Sequence, residues 1–112
     1  MNVYDEMNNL AQAIKNSEEY INFKTAKQFI NQNLELKQKV DDFEKSRYES
    51  QINILQNGKK EQEELKKVQE IYAEIIQIDE IKKYFEAELR FNVLLADVNK
   101  VISEAVKDVI IN

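Results

Sequence analysis

The stretch FNVLLADVNKVISEAVKDV, residues 91–109, decides the fold. Its apolar side chains recur at intervals of four, three, four, three and four residues, which is the period of one face of an α-helix. They are Phe91, Leu95, Val98, Ile102, Ala105 and Val109. Further apolar residues, Leu94, Val101 and Val106, widen this stripe beyond the seam of a two-stranded coiled coil. We therefore expect the last helix to pack against more than one neighbour.

The same period predicts helices along the rest of the chain. A short first helix carries an apolar stripe, and a second covers roughly residues 18–30. Longer helices are predicted at about residues 34–56, from about residue 65 to 76, and from about residue 80 to 110. The stripe of the first helix consists of Val3, Met7, Leu10 and Ile14. The pattern leaves open whether the last two helices are continuous.

Polar residues and one glycine mark the breaks between these helices. Ser17, Asn33 and Asp79 are predicted N-caps, because their side-chain oxygens can accept a hydrogen bond from the free N–H groups of a helix start. Gly58, after Asn57, is predicted to close a helix in the left-handed conformation.

The apolar stripe of the predicted helix at 34–56 changes direction part of the way along. Its first members are Leu36, Val40 and Phe43, and the next follows only after a step of five residues. That second set is Tyr48, Ile52 and Leu55. A step of five moves the stripe around the helix, so this segment cannot keep one strict heptad seam.

The composition excludes several classes of function. The chain has 112 residues, no proline, no cysteine and no histidine, and a net charge of −5. Without cysteine it cannot form disulfides or thiolate metal sites, and without histidine it lacks the commonest general base. An acidic chain is unsuited to nucleic acid and to anionic membranes. With no signal peptide and no apolar run of about 18 residues, we expect a cytoplasmic protein of one domain, residues 1–112.

The most suggestive chemical cluster is Glu86, Glu88 and Arg90. Glu86 and Arg90 are four residues apart and can pair along one helix face. Glu88 lies about 200° around the helix from Glu86, so the two carboxylates do not converge on one bond or one metal ion. The cluster is interpreted as a charged surface, and we predict no catalytic, metal or cofactor site.

Two segments of the chain carry a resemblance to known proteins. The first is Val3-Tyr4-Asp5, Leu10 and then Ser17-Glu18-Glu19-Tyr20. The second is Glu86-Ala87-Glu88, Arg90, Leu94-Leu95 and Asn99-Lys100-Val101-Ile102. Together they resemble the YheA-like branch of the YlbF/YmcA family of small helical proteins from Gram-positive bacteria. The resemblance implies long antiparallel helices, a tendency to form dimers, and a role in regulatory complexes. Family members with iron–sulfur clusters bind them through cysteines, so that property is not carried over. The resemblance also implies a proline where Ala105 stands, so the last helix is expected to run further here.

These observations predict an all-α fold of long antiparallel helices with short N-terminal helices, packed as a helical-bundle dimer. The predicted function is that of a non-enzymatic cytoplasmic adaptor or regulatory subunit acting through protein–protein contacts. The self-association or core face would be Phe91, Leu95, Val98 and Ile102, and the partner-facing charged cluster would be Glu86, Glu88 and Arg90. The alternative is a structural or chaperone-like module that binds apolar client segments. Neither nucleic acid nor membrane is an expected partner.

Overall fold

The structure is a computed structural model that describes residues 1–111. Over these residues the chain forms five α-helices and no strand, which confirms the predicted all-α class. The helices are α1 (Val3–Lys15), α2 (Glu18–Gln32), α3 (Leu34–Gln56), α4 (Glu61–Ile75) and α5 (Asp79–Ile110). α5 passes through Ala105, as expected from the alanine at this position. No helix in the described part is long and apolar enough to cross a membrane.

Side-chain oxygens of Ser17 and Asn33 cap the N-termini of α2 and α3, as predicted. The Asn33 side chain accepts a hydrogen bond from the Leu36 N–H at 3.2 Å, and Ser17 Oγ accepts one from the Tyr20 N–H at 3.1 Å. The prediction for Asp79 was wrong by one residue, because Asp79 is already the first residue of α5. The carbonyl of Ile78 accepts the first bonds of that helix instead. Asp79 still favours the helix start, since its negative charge lies in the first turn.

The connections are short turns, and they settle the question left open by the sequence. Gly58 has φ of 66°, the left-handed conformation predicted for the end of α3, where glycine has no steric penalty. The N–H of Lys59 then bonds back to the carbonyl of Asn53 at 3.1 Å. α4 and α5 are separate helices, because the residues between Ile75 and Asp79 form a turn.

The chain divides into two compact units, which are described separately. Unit 1 contains residues 1–26 and 85–112, that is, α1, the first part of α2 and most of α5. Unit 2 contains residues 27–84, including the whole of α3 and α4.

The core of unit 2 is built around an antiparallel pair of helices, α3 and α4. Ser50 pairs with Glu64 near the connecting turn, and the rings of Phe43 and Tyr72 lie 5.6 Å apart further from it. The buried apolar residues of this unit are Ile30, Leu36, Val40, Phe43, Ile75, Ile81 and Tyr84. The predicted change of direction on α3 is confirmed, because Val40 and Phe43 are buried whereas Tyr48 and Leu55 are 66% and 81% exposed.

Unit 1 buries fewer apolar side chains than unit 2 does. Phe91 of α5 lies against two rings of α2, with centroid distances of 5.9 Å to Tyr20 and 5.6 Å to Phe23. Among the described residues of this unit, only Phe85 and Ala87 are buried, and α1 has no buried residue at all. Folding of unit 1 thus leaves most of its apolar surface in water.

Candidate functional site

An open groove of about 620 Å³ lies in unit 1, between the first turn of α2 and the middle of α5. The α2 side contributes Glu18, Glu19 and Asn22. The α5 side contributes Ala87, Leu89, Arg90, Val93, Leu94 and Asp97. From Ala87 to Asp97 a helix rises by about 15 Å, so the groove follows roughly three turns of α5.

The groove carries more negative than positive charge. Three carboxylates, from Glu18, Glu19 and Asp97, face one guanidinium, from Arg90. Within residues 1–111, none of these four side chains takes part in an ion pair. Glu18 and Glu19 occupy the first turn of α2, where the free N–H groups of a helix favour negative charge. The first turn of α2 therefore places two acidic side chains along the groove.

Apolar side chains in the groove are exposed to water. Leu89 and Val93, four residues apart on α5, are 64% and 51% exposed. They lie about 160° and 200° around the helix from Phe91, at 100° per residue. Because they lie away from the apolar stripe of α5, they stay exposed even when the stripe is buried.

The stripe predicted for self-association or the core lies on the side of α5 opposite Leu89 and Val93, and Ala87 and Leu94 of the groove border it. Phe91, Leu95 and Val98 are half-buried in unit 1, and Phe91 makes the aromatic contacts with α2. Ile102, one turn further along, is 51% exposed. Exposure thus rises along the stripe towards the end of α5, where the stripe has less of its own chain to pack against.

The three residues of the predicted charged cluster are distributed around α5. Arg90 lines the groove, and Glu86 is exposed on the same side of α5. Glu88 is half-buried and points about 200° away from Glu86, as the helical period required. Glu86 and Arg90, although four residues apart, form no ion pair in the described part of the chain.

Reasoning from sequence missed most of the groove. It assigned Glu18, Glu19 and Asp97 to no binding site, because the groove joins segments about 70 residues apart in the chain. One local signal was present. Leu89 and Val93 are two large apolar residues spaced by four that lie outside the main stripe of α5.

A second polar site lies in unit 2, between α3 and α4. Ser50 Oγ donates a hydrogen bond to Glu64 Oε2 at 2.7 Å, and the Lys67 ammonium lies 3.4 Å from the other oxygen of Glu64. Glu64 is only 3% exposed, and Ser50 is buried as well. A pocket of about 220 Å³ opens beside them, lined in part by Asn53 and Glu49. The carboxylate is thus satisfied by hydrogen bonds that tie the two helices together.

Ser50 and Glu64 take part in the contact between α3 and α4. A serine nucleophile needs a base that removes its proton and a further group that orients the base. Here the hydroxyl and the carboxylate are themselves buried in the contact between the helices. No group of three or more acidic residues that could hold a metal ion occurs among the residues that the structure describes. The site is best understood as a polar clasp between α3 and α4.

The clasp makes unit 2 sensitive to acid. The hydrogen bond from Ser50 lowers the pKa of Glu64 below its ordinary value of 4.5, against the opposing effect of burial, and Asn53 and Lys67 lower it further. A carboxylate with a lowered folded-state pKa stabilises the fold above its unfolded-state pKa and loses that contribution as pH falls through the folded-state pKa.

We therefore expect Glu64→Gln to lower the free energy of unfolding at pH 7, and we expect its difference from the wild type to shrink as pH falls below the ordinary glutamate value of 4.5. Urea denaturation across this range would measure the difference. Glu63→Gln, at an exposed position in the same turn, is the matched control and should show no such convergence. A constant difference at all pH values would contradict the role given to the Glu64 charge.

Comparison with known proteins places these features in a family. The family model described as "Control of competence regulator ComK, YlbF/YmcA" matches residues 3–107. A UPF0342 protein of Symbiobacterium thermophilum is 38% identical over 104 residues, which is 93% of each chain. UPF0342 proteins of Caldicellulosiruptor saccharolyticus and Clostridium novyi are 37% identical over 105 residues and 33% identical over 109 residues, covering 94% and 96% of this chain and 88% and 95% of their own. No solved structure gives a significant match.

Proposed function

The chain belongs to the YlbF/YmcA family, and on that premise we propose that it is a non-enzymatic adaptor or regulatory subunit that acts through protein–protein contacts. The family description names control of a competence regulator, ComK, and such control is exerted on other proteins. We further propose that it works in the cytoplasm, where a regulator of this kind would meet its partners.

The observation that carries this proposal is the incomplete core of unit 1. α1 is a helix of 13 residues without a buried side chain, although its apolar residues form one stripe. A helix of this length is marginal in water unless a packed partner stabilises it. The last turns of α5, from Val101 to Ile110, are likewise exposed throughout.

We propose that a second copy of the chain packs against the apolar surfaces of α1 and of the last turns of α5. Stable homodimer interfaces bury about 1,200–2,000 Å² or more and are richer in apolar residues than other surfaces. The exposed apolar residues of α1 and of the end of α5 would supply such a surface. They are Val3, Tyr4, Met7, Leu10, Val101, Ile102, Val106, Val109 and Ile110. We propose that the stripe containing Phe91, Leu95, Val98 and Ile102 continues into this dimer core.

A chaperone-like module is the alternative, and a different surface favours it. Tyr48 and Leu55 on α3 are strongly exposed, on a face turned away from the core of unit 2. Exposed apolar side chains of this kind can bind unfolded segments of other proteins. This alternative predicts that the assembled protein suppresses the aggregation of a heated client enzyme and that Tyr48→Ser with Leu55→Ser abolishes the effect. The adaptor proposal predicts no suppression.

Affinity purification of the tagged protein from its own cells, followed by mass spectrometry, tests the adaptor proposal. We expect defined partner proteins to co-purify with the wild type. The triple variant Glu86→Gln, Glu88→Gln, Arg90→Gln should lose them while keeping its helical circular dichroism, because charges at an interface select among partners. The control removes two acidic side chains and one arginine on α3, at Glu44, Glu49 and Arg47. Unchanged partners in the triple variant would contradict the role of this cluster, and absence of any partner would contradict the proposed function.

A further inference from the structure

We propose that the groove between the first turn of α2 and α5 binds an amphipathic helix of a partner protein, in which lysine or arginine side chains flank an apolar face. This inference rests on the proposed adaptor function and names the chemistry of the partner. It concerns only unit 1, which supplies all the lining residues.

The charge of the groove determines the charge of its occupant. Three carboxylates surround the groove against one guanidinium, and none of the four has an ion-pair partner in residues 1–111. A cationic partner would supply the missing charges, and an anionic partner would be repelled.

The shape and the apolar residues of the groove indicate a helix. Leu89 and Val93 are exposed, and Leu94 is half-buried, so the groove offers apolar side chains together with charged ones. The length of about 15 Å matches three turns of an incoming helix, about ten residues. An amphipathic helix laid in a groove contacts it through residues spaced by three and four, with polar residues along both edges.

The exposed apolar residues of the groove, Leu89 and Val93, remain available when the proposed dimer forms. Leu89 and Val93 point about 160° and 200° away from Phe91, whereas Leu95, Val98 and Ile102 stay within about 40° of it. An adaptor needs two such surfaces, one for its own assembly and one for its partner. A second copy in the groove is a different occupant, and it would make the groove residues necessary for the dimer.

The test uses two synthetic helical peptides of about 15 residues, one of leucine and lysine and one of leucine and glutamate in the same pattern. We expect the wild-type chain to bind the lysine peptide, with an affinity that falls as salt is added, and not to bind the glutamate peptide. Fluorescence anisotropy would measure the dissociation constants. Glu18→Gln with Glu19→Gln should weaken binding roughly fivefold. Leu89→Ala with Val93→Ala should weaken it roughly tenfold.

Matched controls separate the groove from general attraction to an acidic protein. Glu61→Gln with Glu63→Gln removes the same charge from the first turn of α4, and Leu55→Ala truncates an exposed leucine outside the groove. Binding should be unchanged in both. Equal weakening by groove and control variants, or no binding of the lysine peptide, would overturn the inference.

Assembly and partner measurements keep this inference apart from the function on which it rests. Light scattering should give the same mass for the groove variants and the wild type, since a lower mass would assign the groove to a second copy and overturn the inference. Wild-type protein that purifies without partners would contradict the adaptor function whatever the peptides do. If wild type and groove variants retain native partners equally, the proposed binding role of the groove is contradicted, but the adaptor function is not.

Discussion

Replacing Ile81 by alanine is expected to lower the free energy of unfolding by about 2–5 kcal/mol. Ile81 lies in the first turn of α5 and is 0% exposed, the lowest exposure among the large side chains of the described chain. The substitution removes three side-chain carbons from a packed core, and it adds the loss of contacts around the cavity to the loss of burial. Urea denaturation followed by circular dichroism, at one fixed protein concentration, would measure the change.

Leu55→Ala in the same unit is the control for Ile81→Ala. Leu55 is strongly exposed, so its truncation should change the free energy of unfolding by no more than about 0.5 kcal/mol. The contrast tests the assignment of the core of unit 2. A loss at Ile81 no larger than the loss at Leu55 would show that Ile81 is not packed as the structure places it.

The helices could be predicted from the sequence because their signals are local. Intervals of three and four, interrupted by Asn33 and by Asn57-Gly58, suffice to define α3 as residues 34–56. The step of five on that helix falls between the buried Phe43 and the exposed Tyr48, although the sequence does not say which set is buried. The one-residue error at Asp79 has a physical cause. Asp is favourable both as an N-cap and within the first turn, so its identity alone does not distinguish these positions.

The two polar sites could not be predicted, because they depend on which helices meet. Glu64 belongs to a run of charged residues, a pattern that predicts a water-facing surface. Its burial depends on Ser50 of α3, which donates a hydrogen bond to the carboxylate. Glu18 and Asp97 likewise read as ordinary surface charges. They become one groove only when α2 and α5 lie side by side in unit 1.

The double variant Met7→Asp, Ile102→Asp is expected to convert the proposed dimer into a monomer. Each residue is 51% exposed in the single chain, so a carboxylate at either position stays hydrated in the monomer and would be buried in the dimer. Burying an unpaired charge is costly, and the apolar contacts of two side chains, each contributing about 1.5–3 kcal/mol when buried, are lost as well. We expect the dissociation constant to rise by at least about a hundredfold, which sedimentation equilibrium over a range of concentrations would detect.

The matched control for this dimer test is Tyr48→Asp with Leu55→Asp, which adds the same charges to exposed apolar positions of unit 2. This variant should keep the mass of the wild type. The monomeric variant should also lose helical signal from α1, because a 13-residue helix without a buried face is marginal on its own. A wild type that is monomeric at all concentrations, or a Met7/Ile102 variant that keeps the wild-type mass, would contradict the dimer. If α1 loses its helical signal when the dimer dissociates, formation of α1 depends on the dimer. The second copy would then complete the core that unit 1 lacks.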